Sequence, residues 1–136
     1  MPTPPEGLTI RESHRSPADT MERLVGAVTR RGLTVMVRID HAAAAAKAQM
    51  ALRPTEVVLF GDPRGGTPLM QAVQTAGIDL PLKALVWQDA EGRTWVGYND
   101  PAWIARRHGA PATAEPTVAA MSEALAAIAR EAAGET

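Results

Sequence analysis

The sequence contains no cysteine. Disulfides, thiolate metal sites and a cysteine nucleophile are therefore excluded. No run approaches the ~20 consecutive apolar residues that a membrane-crossing helix needs. No charge of one sign dominates either: 14 lysines and arginines stand against 15 aspartates and glutamates, for a net charge of -1. Nucleic-acid binders usually carry a basic footprint, so nucleic acid is not an expected partner. The opening Met1-Pro2-Thr3-Pro4-Pro5-Glu6 has neither the positive n-region nor the apolar h-region of a leader. The expectation is a cytoplasmic chain without a membrane partner. There is no internal repeat, and no low-complexity segment beyond the alanine runs.

What remains is an ordinary globular composition, 46% hydrophobic and 21% charged over 136 residues. That length suits a single domain with a real core. We read residues 1–136 as that domain, with a core over 8–109 and a closing helix over 116–133. Leu8–Glu12 alternates as a short strand. Ser16-Pro17 starts a helix, because serine accepts from orphan N–H groups and proline is tolerated at the first helical position. Met21, Leu24, Val25 and Val28 share one face of it, and Gly32 is its stop.

Leu33 to Asp40 reads as a strand, with Leu33, Val35, Val37 and Ile39 on one face and Thr34, Met36, Arg38 and Asp40 on the other. Asp40 is the expected cap of an alanine-rich helix running to Met50, which Arg53-Pro54 ends. Thr55 to Phe60 is a buried-type strand. It leads into Gly61-Asp62-Pro63-Arg64-Gly65-Gly66, a tight turn, and Thr67-Pro68 then starts a helix that Gly77 stops. Leu82 to Asp89 and Arg93 to Tyr98 form a hairpin across Ala90-Glu91-Gly92. Asn99-Asp100-Pro101 opens a short helix ending in Arg106-Arg107-His108-Gly109. Ala110 to Pro116 links to the last helix. The order β-α-β-α-β-α-β-β-α-α, closing on a hairpin, predicts an α+β fold with an antiparallel-rich sheet and helices packed mainly on one face. The other face needs cover, which a second subunit would supply.

Several motifs in this order resemble one family: Val37-Arg38-Ile39-Asp40-His41, Leu52-Arg53-Pro54-Thr55, Phe60 to Met70, Gly77 to Lys83, and Tyr98-Asn99-Asp100-Pro101. It is the family catalogued as domain of unknown function 302. The resemblance is close over Leu33 to His108 and looser in the flanking helices. It implies a compact α+β domain, similar in fold to the saddle-like sheet of TATA-binding proteins and often dimeric. It implies no settled activity, and a likeness of shape does not carry DNA binding with it.

Two groups of residues can carry chemistry. The first is the glycine stretch. Gly61, four residues, Gly66 and Thr67 approach a phosphate-loop pattern, but the lysine that reaches the β/γ-phosphates is missing and Pro68 removes an N–H. Free amides at a helix start still suit an anion, and Arg64 adds charge beside Gly65, Gly66 and Thr67. The alternative is a sharp turn that needs glycine backbone angles. The second group is Arg38, Asp40 and His41. His41 is a candidate general base or a ligand for haem or metal, with Asp40 to orient it. The alternative has Asp40 capping the helix and Arg38 pairing with a carboxylate on a neighbouring strand.

Lys83 lies on the strand face of Leu85 and Trp87. It is either an amine of lowered pKa or a side chain that snorkels at the sheet edge. Trp87 and Trp95 sit on adjacent strands and can pack together. Met36, Met50 and Met70 read as core fillers. The other histidines, His14 and His108, lack ligand spacing with His41, so a sequence-local zinc site is absent. His108, with Arg106 and Arg107, complements a helix C-terminus.

Three functions are open. One is a homodimeric module binding a small anionic or planar ligand, haem being one such ligand, at Arg38, His41, Arg64, Gly65, Gly66, Thr67 and Lys83. Another is a small enzyme with His41 as base, Asp40 as orienter and Arg38 or Lys83 as electrostatic partner. The third is a ligand-free dimerisation protein. The first two require the glycine stretch and the Arg38–Asp40–His41 group to meet at a shared hollow.

Overall fold

The computed structural model describes residues 3–135. Its elements follow the expected order: β1 (Leu8–Ser13), α1 (Pro17–Arg30), β2 (Thr34–Asp40), α2 (His41–Lys47), β3 (Thr55–Gly61), α3 (Pro63–Ala72), β4 (Leu82–Gln88), β5 (Thr94–Asn99), α4 (Pro101–His108) and α5 (Glu115–Ala132). Short 3₁₀ segments at Gln74–Asp79 and Ala112–Ala114 complete the chain. The five strands form one sheet in the order β1-β5-β4-β3-β2, and every neighbouring pair is antiparallel.

Helices α1 and α5 cover one face of the sheet. Met21, Leu24, Ala27 and Val28 of α1 and Leu125, Ile128, Ala129 and Ala132 of α5 pack on Val58, Phe60, Ala84, Val86 and Val96. All are at most a few per cent exposed. Each large side chain of this set contributes on the order of 1.5–3 kcal/mol by leaving water. A second cluster, Leu69, Ala76, Ala114, Val118 and Met121, ties α3 and the two 3₁₀ segments to the start of α5.

Local signals explain most of the boundaries. Ser16 Oγ accepts from the Asp19 N–H at 3.1 Å, as a helix cap should. Gly32, Gly92 and Gly109 adopt positive φ where α1, the β4–β5 hairpin and α4 end.

Strand β2 departs from strict alternation. Its register with β3 shifts between Val35 and Val37. Met36 is the extra residue of this β-bulge, and each residue beyond it changes face. Val35 pairs with Phe60 and packs on the core, while Val37 pairs with Leu59 on the opposite face. Leu33 and Val35 therefore face the helices, whereas Val37 and Ile39 face away and are 42% and 40% exposed. The expected sharing of one face by all four holds only up to the bulge.

Helix α3 begins earlier than Thr67-Pro68. Asp62 caps it, accepting from the Arg64 N–H at 2.8 Å, and Pro63 occupies the first turn. Gly65 and Gly66 are thus helical residues, and neither has positive φ. The stretch is a capped helix start, and Pro68 lies inside the helix, where it offers no N–H to the preceding turn. Helix α2 ends at Lys47 rather than Met50, and none of its residues is buried. Met36 and Met50 are not core fillers: they are 52% and 68% exposed.

Candidate functional site

A cavity of about 300 Å³ opens where β3 runs into α3. The bulged strand contributes Met36, β3 ends in it with Gly61, and α3 adds Gly66, Thr67 and Met70. Gly77, Leu80 and Pro81 form the side toward β4, and α5 supplies Met121. The glycines keep it open. A Cβ on Gly66 would stand 3.7 Å from Leu80 Cδ1 and 4.0 Å from Met70 Cε, filling part of the space. The walls are mainly apolar and none of the lining residues is basic. Asp62, the carboxylate in the lining, is held below the ordinary aspartate range by its hydrogen bond from the Arg64 side chain and then by the Arg64 backbone N–H. Arg64 Nη2 and Asp62 Oδ2 are 2.7 Å apart.

Of the residues read from the sequence, Gly66 and Thr67 line this cavity. Arg64 and Gly65 border a neighbouring hollow with Leu33 and the α5 residues Pro116, Thr117 and Ala120. Arg38, Asp40, His41 and Lys83 belong to neither lining. Lys83 directly follows the lining residue Leu82 and points to the other face of the sheet; for Arg38, Asp40 and His41 the antiparallel register accounts for the separation. It sets Thr34 beside Gly61 and Asp40 beside Glu56, so His41 and Asp62 lie at opposite ends of a strand pair. At about 3.3 Å per residue, that separation is roughly 20 Å along the sheet.

Arg38, Asp40 and Lys83 each have their own local partners. Arg38 Nε donates to Glu56 at 3.0 Å on the neighbouring strand, and its Nη1 donates to Glu22 of α1 at 3.0 Å. Asp40 accepts from the Ala43 N–H at 2.9 Å as the cap of α2. His41 is exposed at the first position of that helix. Lys83 Nζ donates to the Asp79 carbonyl at 3.1 Å. Trp87 and Trp95 are directly paired, and the buried Trp95 donates its indole N–H to Asp89 at 2.8 Å.

A polar cluster beside the cavity escaped the sequence reading. Asp79, at the end of the 3₁₀ segment, accepts from His108 Nε2 at 2.6 Å and from Arg107 Nη1 at 2.8 Å. The His108 side chain is 8% exposed, and its Nδ1 lies 2.9 Å from Thr75 Oγ1. A carboxylate only accepts, so Nε2 carries the hydrogen, and in the neutral ring Nδ1 takes the Thr75 hydroxyl. Burial pushes the Asp79 carboxyl up, but the His108 hydrogen bond and the Arg107 charge together outweigh it and leave it below its ordinary value. Arg107 also lies 5.9 Å from the Trp103 ring centroid. The signal for this cluster was present: two arginines and a histidine end α4, and the only acid in Gly77–Lys83 is Asp79.

The chain is 41% identical over 129 residues to a protein of Brucella suis biovar 1 (strain 1330) named fluoride-specific ion channel FluC 1. The match covers 95% of this chain and 51% of that protein. Its namesake in Brucella abortus biovar 1 (strain 9-941) matches to the same degree, with 48% of its length covered. The chain thus spans about half the length of these curated relatives. A crystal structure of an uncharacterized conserved DUF302 protein from Bacillus stearothermophilus superimposes with a TM-score of 0.83 at 19% identity. That alignment covers 94% of this chain and 99% of the other, and it establishes the shared fold. The family model described as domain of unknown function DUF302 matches residues 9–128, and the chain belongs to that family.

Proposed function

We propose that this DUF302 domain is a small-ligand-binding module that works as a homodimer. The observation that carries the reading is the cavity between the β2 bulge, the start of α3 and the Gly77–Pro81 turn. A concave, mainly apolar hollow of this size falls at the lower end of the range for small-molecule sites. The ligand that suits it is compact and apolar or planar rather than anionic. Arg64 is committed to Asp62, Arg38 to Glu22 and Glu56, and Lys83 to a backbone carbonyl. Haem would meet methionine sulfur there, since no histidine lines the cavity.

The dimer reading is supported by the exposed β2 end of the sheet's outer face. Val37 and Ile39 face away from the helices on the edge strand β2, and Met50 and Leu52 beyond α2 are 68% and 49% exposed. Large apolar side chains on one sheet edge are a liability that a second copy relieves. The enzyme reading has less behind it, because the cap of α2 engages Asp40, the expected orienter of His41.

The Brucella relatives place a domain of this kind in proteins named as fluoride channels. No helix among the described residues is long and apolar enough to cross a membrane. In such a protein the matched half would serve as a ligand-sensing part outside the conduction path. Fluoride is a poor candidate for the ligand, since the lining holds an aspartate and no basic side chain.

The test is a fluorescence titration with Nile red, followed by competition with haem and with small apolar compounds. Saturable binding that Gly66→Leu weakens by about tenfold or more is expected, because the leucine fills the hollow. Absence of binding, or equal binding to both proteins, would overturn the reading.

A further inference from the structure

We propose that this cavity is a thioether site for a soft monovalent cation, Cu(I) in the cell and Ag(I) as its laboratory counterpart. The proposal rests on the reading of the cavity as a binding site and assigns it a soft cation in place of a compact apolar or planar molecule. Three of the chain's six methionines, Met36, Met70 and Met121, line the hollow. They come from three separate elements, β2, α3 and α5. Met21 belongs to the main core at 1% exposure, and Met50 stands in solvent at 68%. Three methionines on one lining are therefore a feature of this hollow and not of the chain at large.

The backbone around the cavity leaves the methionine side chains room to reorient. Met36 is the extra residue of the β2 bulge, a device that re-aims a side chain out of the strand's regular alternation. A Cβ on Gly61 would stand 3.9 Å from Met36 Cε, and one on Gly77 would stand 3.3 Å from Met70 Sδ. Glycine at both positions leaves those side chains room to turn. Methionine has three rotatable bonds beyond its backbone, so sulfurs on facing walls can point inward together.

The chemistry selects the ion. Neutral thioether sulfur is a soft donor that suits Cu(I) and leaves hard divalent ions unsatisfied. The lining has no histidine, and the chain has no cysteine, so nothing there selects zinc. Asp62, the lining carboxylate, is bonded to Arg64. The mainly apolar walls suit a weakly hydrated ion. The competing explanation is that flexible methionines merely adapt the wall to an apolar molecule, and the experiment must separate the two.

The purified chain is titrated anaerobically with Cu(I) held by bicinchoninate, and the bound metal is examined by X-ray absorption. The expected result is one Cu(I) per chain with a sulfur-only coordination shell. Met36→Leu, Met70→Leu and Met121→Leu should each weaken binding by about tenfold or more through loss of a soft donor, while Met50→Leu should not. Because leucine nearly conserves volume, Nile red affinity of the same variants should stay within about threefold. Failure of the wild-type chain to take Cu(I) from the chelator, nitrogen in the metal shell, or an equal loss in Met50→Leu would overturn the proposal. Dye binding without copper binding defeats the metal site alone. Absence of both defeats the binding-site reading with it.

Discussion

Asp79 and His108 meet at 2.6 Å, carboxylate oxygen to ring nitrogen, although 29 residues separate them. With Arg107 Nη1 donating to both carboxylate oxygens, Asp79 fastens the 3₁₀ segment that walls the cavity to the last turn of α4. The contact is well shielded, the two side chains being 12% and 8% exposed. Removing the acid would leave a shielded histidine and an arginine without their shared partner. Asp79→Asn should cost about 1–3 kcal/mol, read as a lower Tm by circular dichroism. An unchanged Tm would show that the pairing contributes nothing.

The same carboxylate sets a pH dependence. Its folded pKa lies below the ordinary value. Its contribution is therefore full above the unfolded value of about 4 and is lost as pH falls through the lower folded one. The stability gap between the wild-type chain and Asp79→Asn should be largest at neutral pH and shrink below about pH 4. Denaturant midpoints for the two proteins at neutral pH and at pH 3 measure it. A gap that widens on acidification contradicts the assignment.

Gly97 is the place where a missing side chain matters most to the sheet. Trp87 lies across it on the face away from the helices, and a Cβ there would come 2.9 Å from Trp87 Cζ3 and 3.4 Å from Ile10 Cγ2. Gly97→Ala should displace the indole and destabilise the chain by about 1–3 kcal/mol. A Tm equal to that of the wild-type chain would mean that the tryptophan has another place to lie.

Helix α2 offers the opposite expectation. None of its residues is buried, and its hold on the fold is the Asp40 cap, its own backbone hydrogen bonds and a light packing of the half-buried Ala42 and Ala45 toward β3. An isolated helix of seven residues is marginal. Asp40→Ala should speed amide exchange across Ala44–Lys47 by several-fold and leave the global Tm nearly unchanged. Cooperative loss of the whole fold would show that α2 is integral to the core.

The exposed edge makes a prediction about assembly. Ile39→Lys places a charge on the uncovered face of β2, a substitution that opposes edge-to-edge association. Sedimentation should find the wild-type chain dimeric and Ile39→Lys monomeric, with equal Tm for the separated chains. A wild-type chain that remains monomeric at high concentration removes the dimer from the account.

Much of this architecture was readable in the residues. Ser16-Pro17, Gly32, Gly92 and Gly109 marked boundaries because each meets a local backbone need that sequence alone displays. The bulge at Met36 was not readable, since an alternating Leu33–Asp40 looks regular until its register with β3 is known. Asp62 was passed over as a cap because Thr67-Pro68 carries the same signature, and only one of them could start α3. The lining of the candidate cavity was half visible. Gly66 and Thr67 mark the cavity, but Arg38 and His41 lie at the far end of the strand pair, a consequence of the direction in which β3 runs back along β2. The methionine lining was hidden because methionine reads as filler wherever it falls.

The most direct measurement is the methyl spectrum of the chain with its methionine Cε carbons labelled, recorded as Nile red is added. The account predicts that the Met36, Met70 and Met121 signals move together and saturate with the dye, while those of Met21 and Met50 stay in place. Movement confined to Met50, or no movement at saturating dye, would place the binding site elsewhere and contradict the account.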